Sequence, residues 1–106
     1  MSTMEELDFM VLSLVDAIPP GRVATYGDIA ALAGTGPRQV GRIMAEKGQL
    51  SNWWRVVRFD GGSQVAAAAK LKWESEGIAH STGRNPKVRM QSHRLSETEL
   101  LSLSVY

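Results

Sequence analysis

A chain of 106 residues, 43% hydrophobic and 22% charged, suits one folded domain with a single modest core. With no cysteine it has no disulfide, no thiolate metal site and no cysteine nucleophile. The net charge of +1 says little, but its distribution is uneven: residues 1–20 carry Glu5, Glu6, Asp8 and Asp16 without a Lys or Arg, whereas residues 21–58 carry Arg22, Arg38, Arg42, Lys47, Arg55 and Arg58 against Asp28 and Glu46. A solvated basic face accounts for that excess as well as an anionic partner such as nucleic acid does. No apolar run approaches the ~20 residues that a membrane span needs. The start, "MSTMEELDFM", carries acids where a signal peptide carries Lys or Arg, so a cytoplasmic protein is expected.

Residues 4–18 place Leu7, Val11, Leu14 and Ile18 at spacings of three and four, which predicts a helix, with Thr3 and Glu6 as a capping box. "IPPGR" ends it. "VATYGDIAALAG" predicts a short extended entry and then a helix around Asp28–Leu32, capped by Gly34. "TGPRQVGRIMAEKG" predicts a tight turn and a helix from near Pro37 to Gly48. Two short helices joined by a glycine turn, the second carrying Arg38, Gln39 and Arg42, outline a helix-turn-helix.

"WWRVVRFDGGSQV" reads as a small β-hairpin, or wing, around Asp60-Gly61-Gly62. On an extended stretch Trp53 and Trp54 face opposite ways, one toward a pocket or surface and one toward the core. "AAAAKLKWESEG" predicts a helix stopped by Gly77. Residues 78–95 read as loop, and "SETELLSL" as a short terminal helix. The fold class is therefore mainly α, four or five helices with a small β-hairpin, as one helix-turn-helix or winged-helix-like domain over residues 1–106.

No metal or cofactor is expected. His80 and His93 stand apart with no cysteine and no HExxH spacing. Gly34, Gly36 and Gly41 do not follow a buried strand in a βαβ unit, and there is no nucleophile elbow. Taken singly, Tyr26 suits a half-buried core position, Arg38 and Arg42 a solvent-facing pair, and the tryptophans core anchors.

Taken jointly, "IPPGRVATYGDIAALAG", "RQVGR", "WWRVVR" and "ESEG" resemble the DNA-binding domain of the O6-alkylguanine-DNA alkyltransferases over about residues 5–78, which leaves residues 79–106 as a C-terminal extension. The family pattern runs I-P-x-G-x-V-x-T-Y-G-x-I-A, then A-R-x-V-G, P-C-H-R-V and E-G. Asn52-Trp53-Trp54-Arg55-Val56 stands at P-C-H-R-V, so Trp53 holds the place of the alkyl-accepting cysteine and Trp54 that of its histidine. The resemblance is thus to the alkyltransferase-like proteins. The family's hinge asparagine has no counterpart here, and its G-Y-x-x-G loop is replaced by "GGSQVAAAAK".

The resemblance implies a protein that is not an enzyme. It would bind double-stranded DNA containing O6-alkylguanine, flip the base into a pocket walled by Trp53, and flag the site to nucleotide excision repair proteins. It would act as a monomer. The implied contacts are Tyr26 at the flipped nucleotide's backbone and Arg38 in the vacated stack. Gln39 and Arg42 lie on a recognition helix, residues 37–47, placed in the minor groove. Arg55 and Val56 follow Trp53 in the pocket stretch. Trp54 is left for the core, and Glu76, at the family's relay glutamate, for a structural role. The alternative is a helix-turn-helix transcriptional regulator that reads DNA sequence through Arg38, Gln39 and Arg42.

Overall fold

The computed structural model describes residues 5–103. Helix α1 (Glu6–Ala17) begins where the Glu5 N–H donates to Asp8 Oδ2 at 3.0 Å. The expected cap Thr3 lies outside the described residues. Helix α2 (Tyr26–Ala33) starts two residues before the expected Asp28. Its capping box is Thr25 and Asp28: the Asp28 N–H donates to Thr25 Oγ1 at 2.9 Å, and the Thr25 N–H to Asp28 Oδ2 at 3.0 Å. Gly34, at φ 73°, ends it in the left-handed region. Helix α3 (Pro37–Lys47) has proline in its first turn and stops at Gly48, as the sequence indicates.

These three helices bury Val11, Leu14, Ile18, Ile29, Val40 and Ile43 in one apolar cluster. A second cluster, Val23, Val57, Ala69, Trp73, Ile78 and Val88, lies on the other side of a very small sheet. Strand β1 (Ala24–Thr25) pairs in parallel with β2 (Val56–Val57), Ala24 opposite Val56 and Thr25 opposite Val57. The expected hairpin is thus corrected to a parallel pair. The physical reason is burial on both sides: Val56 packs in the first cluster and Val57 in the second, so β2 is covered on both faces rather than being one arm of a solvated wing. After it, Asp60-Gly61-Gly62 does turn, but the chain leaves through Ser63 and Gln64 into helix α4 (Ala66–Ser75), where the alanine run favours helix.

Gly77, at φ 72°, follows α4. The segment expected to be loop is firmly held. His80 bridges to Val88, and Val23 to Arg94, through Val23 N–H to His93 O and Leu95 N–H to Val23 O, both 2.9 Å. One-turn helix α5 (Met90–His93) and helix α6 (Glu97–Leu103) complete the chain, six helices in all among the described residues. Ser96 and Glu99 form the capping box of α6. Leu95 is buried in the first cluster and Val88 in the second, so residues 79–103 pack as part of the same body.

Candidate nucleic-acid interface

Helix α3 presents one face outward. Arg38 and Arg42 are both exposed on it, while Val40, Ile43 and Met44 are buried. Beside this face are two adjoining hollows. The first, of about 420 Å³, is lined by Tyr26, Gly41, Met44, Trp53, Gln64 and Val65 among others, and among the described residues no charged side chain lines it. The second, of about 580 Å³, is lined by Arg38, Arg42, Arg58 and Phe59. Tyr26, Gly41 and Gln64 line both. A Cβ at Gly41 would meet no atom within 4 Å, so the helix borders open space there. A neutral, aromatic-walled hollow therefore opens directly beside a basic one, with Tyr26 on the border. Burial pushes the Tyr26 hydroxyl above its ordinary pKa, and nearby Arg58 offsets only part of that. It is a protonated hydrogen-bond donor at neutral pH.

Trp53 lies in a 3-10 turn, Trp53–Arg55, closed by the Arg55 N–H on Asn52 O at 2.9 Å. The alternation expected of an extended stretch does not hold, because successive side chains on a 3-10 turn are roughly 120° apart. The two indoles instead meet edge to face, with centroids 5.7 Å apart. Trp53 lines the neutral hollow and also packs on both apolar clusters. Trp54 is half-buried, with the Lys72 ammonium 4.8 Å and the Arg55 guanidinium 5.3 Å from its ring centroid. The core place expected for Trp54 belongs to Trp73, which is 0% exposed and donates its indole N–H to Trp54 O at 2.8 Å.

Two expected contact residues are turned inward. Arg55 donates from Nε to both Glu76 oxygens at 3.1 Å, from Nη2 to Glu76 Oε2, and from Nη1 to Ile18 O at 2.8 Å. With its donors so engaged, it supports the turn from behind rather than facing the hollow. Val56 is buried in β2. Both are corrected from pocket-lining to scaffold. Gln39 is half-buried and lines neither hollow. Burial pushes the Glu76 carboxyl up, but Arg55 and the Gly21 N–H outweigh it and hold the group below the usual carboxylate range. The structural role expected for Glu76 is what these contacts describe.

Sequence reasoning did not single out Met44, Ser63, Gln64, Val65 and Phe59, and gave Arg58 only as part of the basic excess. Part of the signal was available: Gly41, Met44, Ala45 and Gly48 follow helical spacing along the wall of the neutral hollow. The loop residues carry no such period.

Residues 6–80 match the family model for the 6-O-methylguanine DNA methyltransferase, DNA binding domain. The chain belongs to this family. Among relatives of this alkyltransferase-family chain, the DNA base-flipping protein of Vibrio parahaemolyticus serotype O3:K6 (strain AQ3810) is 31% identical over 83 residues, covering 71% of this chain and 83% of that one. The DNA base-flipping protein of Escherichia coli (strain K12) is 46% identical over 55 residues, 48% of this chain and 43% of that one. The fold is similar to that of S. pombe Atl1 in complex with damaged DNA containing O6-carboxymethylguanine. The TM-score is 0.79 at 27% identity, and the match covers 90% of this chain and 99% of that one. A structure of S. pombe ATL in complex with DNA matches with a TM-score of 0.76 at the same identity and coverage.

Proposed function

We propose that this alkyltransferase-family chain senses O6-alkylguanine in double-stranded DNA without chemistry, turning the base into the Trp53 hollow and holding it for nucleotide excision repair proteins. The observation that supports this best is the juxtaposition of a neutral, aromatic-walled hollow with three exposed arginines. Phosphate binding needs the cations, and a turned-out purine needs a flat apolar wall. In this reading Tyr26 sits against the backbone of the rotated nucleotide. Arg38, at the start of α3, enters the vacated stack, where a planar guanidinium suits stacking on bases. Arg42 holds the backbone beside it. Helix α3 lies in the minor groove, whose degenerate pattern suits a sensor that works in any sequence.

Alkyl transfer needs a thiolate nucleophile. The chain has no cysteine, and an indole N–H is a donor only. What Trp53 contributes is packing against the base or its alkyl group, on the order of 1–3 kcal/mol.

The test is competition between a guanine duplex and its O6-methylguanine twin in several flanking sequences, followed by intact-protein mass. Preference for the lesion in every flank, an unchanged protein mass and retention of the methyl group on the DNA are expected. Preference for one flanking sequence over the lesion would favour a sequence-reading regulator. A protein mass raised by one methyl would sink the non-enzymatic reading.

A further inference from the structure

Phe59 is 85% exposed, on a turn whose own stability does not need an aromatic ring. The turn is held from several sides. The Gly61 N–H donates to Arg58 O at 2.8 Å, Arg58 N–H to Gly62 O at 2.9 Å, and Val88 N–H to Gly61 O at 3.0 Å. Asp60 accepts from the Gly62 N–H at 2.9 Å and pairs with Lys87 at 3.0 Å. Gly61 sits at φ 88°, and a Cβ there would come within 2.5 Å of Val88 O, so only glycine closes the turn this way. The ring stands on an ordered base, and little backbone entropy remains to be lost when something binds it.

Its surroundings select the partner. Phe59 lines the same hollow as Arg38, Arg42 and Arg58; among the described residues none of these three arginines makes an ion pair within 4 Å, and only longer-range attractions reach Arg42 from Asp8 and Arg58 from Asp60. A lone exposed phenylalanine is ordinary. One that shares its hollow with three arginines is poorly suited to an apolar protein surface, which would bury those cations without close partners. A partner that offers anionic groups and flat apolar faces together is nucleic acid.

We infer that Phe59 is a second DNA-contacting side chain, an apolar wedge that packs against the duplex beside the turned-out nucleotide and supplements Arg38. The inference rests on the DNA-binding reading of the site. Aromatic and aliphatic wedges of this kind support bent or opened duplexes by replacing lost base stacking. The contact differs from a phosphate contact in its salt dependence. Arginine–phosphate contacts release counterions and weaken as salt rises, whereas apolar packing does not.

The experiment is fluorescence anisotropy on labelled O6-methylguanine and guanine duplexes across a salt series, with wild type, Phe59→Ala, Phe59→Trp and Arg58→Ala. Phe59→Ala is expected to weaken binding to both duplexes about tenfold at every salt concentration with an unchanged slope, as loss of one stacking contact implies. Phe59→Trp should retain binding, and Arg58→Ala should flatten the slope by about one counterion. Thermal melting of Phe59→Ala should match wild type, because the ring faces solvent. Wild-type affinity for Phe59→Ala at all salts overturns the inference, as does a loss that fades at high salt. If wild type itself binds neither duplex, the DNA-binding reading falls with it; if wild type binds and Phe59→Ala is silent, only the wedge falls.

Discussion

Arg55 holds Glu76 directly behind the Trp53 turn, with its Nε 3.1 Å from both carboxylate oxygens and its Nη1 on Ile18 O at 2.8 Å. The Gly21 N–H adds a bond to Glu76 Oε1 at 3.2 Å. The pair thus joins the end of α1, the turn that precedes β1, the Trp53 turn and the end of α4. Both side chains are about nine-tenths buried, at 9% and 11% exposure, so water does little to screen them. The front of the turn is left to Trp53 and the hollow.

Arg55→Ala should therefore be a stability variant. It strands a buried carboxylate with one backbone donor, a change that typically costs about 3–5 kcal/mol. Glu76→Gln keeps the shape and should cost less. Because the Glu76 pKa is depressed in the folded state, its contribution is present above the unfolded value and is lost as pH falls through the folded one. Urea titrations of wild type and the two variants, at neutral pH and through the acid range, check this. Wild-type stability for Arg55→Ala, with DNA binding lost, would return Arg55 to the interface.

The three tryptophans should separate by position. Trp73→Ala empties the second cluster and should cost about 3–5 kcal/mol, a large part of the ~5–15 kcal/mol a small domain has. Trp53→Ala should cost less, since the ring is half-buried and borders open space. Its larger effect should be on the ratio of lesion to guanine affinity. Trp54→Ala, half-buried under Lys72 and Arg55, should leave that ratio alone. Melting curves and paired affinities decide it: if Trp54→Ala rather than Trp53→Ala removes lesion preference, the wall of the hollow is misassigned.

These contrasts mark what the sequence carries and what it does not. Helices α1 to α4 and α6 are legible because each has its own local signal, an apolar period, a capping box, a proline at the start or a glycine at the stop. The β-hairpin failed because strand propensity in "WWRVV" says nothing about the partner. Ala24–Thr25, 32 positions upstream of Val56–Val57, supplies it through burial on both faces. Residues 78–95 look irregular because their order comes from long-range bonds, such as Val23 with His93 and Leu95. Tyr26, Arg38, Arg42 and Trp53, which spacing and resemblance single out, line the two hollows. That Arg55 turns inward was not legible in the sequence, because its partner Glu76 lies 21 residues away.

Arg38 should behave unlike an ordinary phosphate contact. If it occupies the vacated stack, Arg38→Ala should weaken lesion binding more than Arg58→Ala and narrow the gap between lesion and guanine duplexes. Arg58→Ala should weaken both duplexes alike, with a salt slope reduced by about one. Salt-series titrations of both variants on both duplexes distinguish the roles. Matching losses for the two variants throughout would make Arg38 one more backbone contact.

The C-terminal segment should be the first part to loosen in acid. Two exposed clasps tie it to the helices: Arg22 Nη1 reaches Glu99 Oε2 at 2.6 Å, and Arg94 Nη2 reaches Asp28 Oδ1 at 2.7 Å. The Arg22 guanidinium, with the Ser96 N–H, pulls the Glu99 carboxyl from 4.5 down to about 2. Burial pushes Asp28 up, but Arg94 and Thr25 outweigh it and leave that group lowered too. Both folded pKa values are depressed, so the stabilisation is complete above the unfolded values and is lost as pH falls, for Glu99 between 4.5 and about 2. Arg22→Gln removes the main cause of the Glu99 shift, so its transition should move up toward 4.5. Amide hydrogen exchange at Leu100, whose N–H donates to Ser96 O at 2.8 Å, reports opening of α6 directly. Added salt should blunt the difference, because the Arg22 and Glu99 side chains are 31% and 42% exposed. The same midpoint for wild type and Arg22→Gln would show that something other than this ion pair holds the segment down.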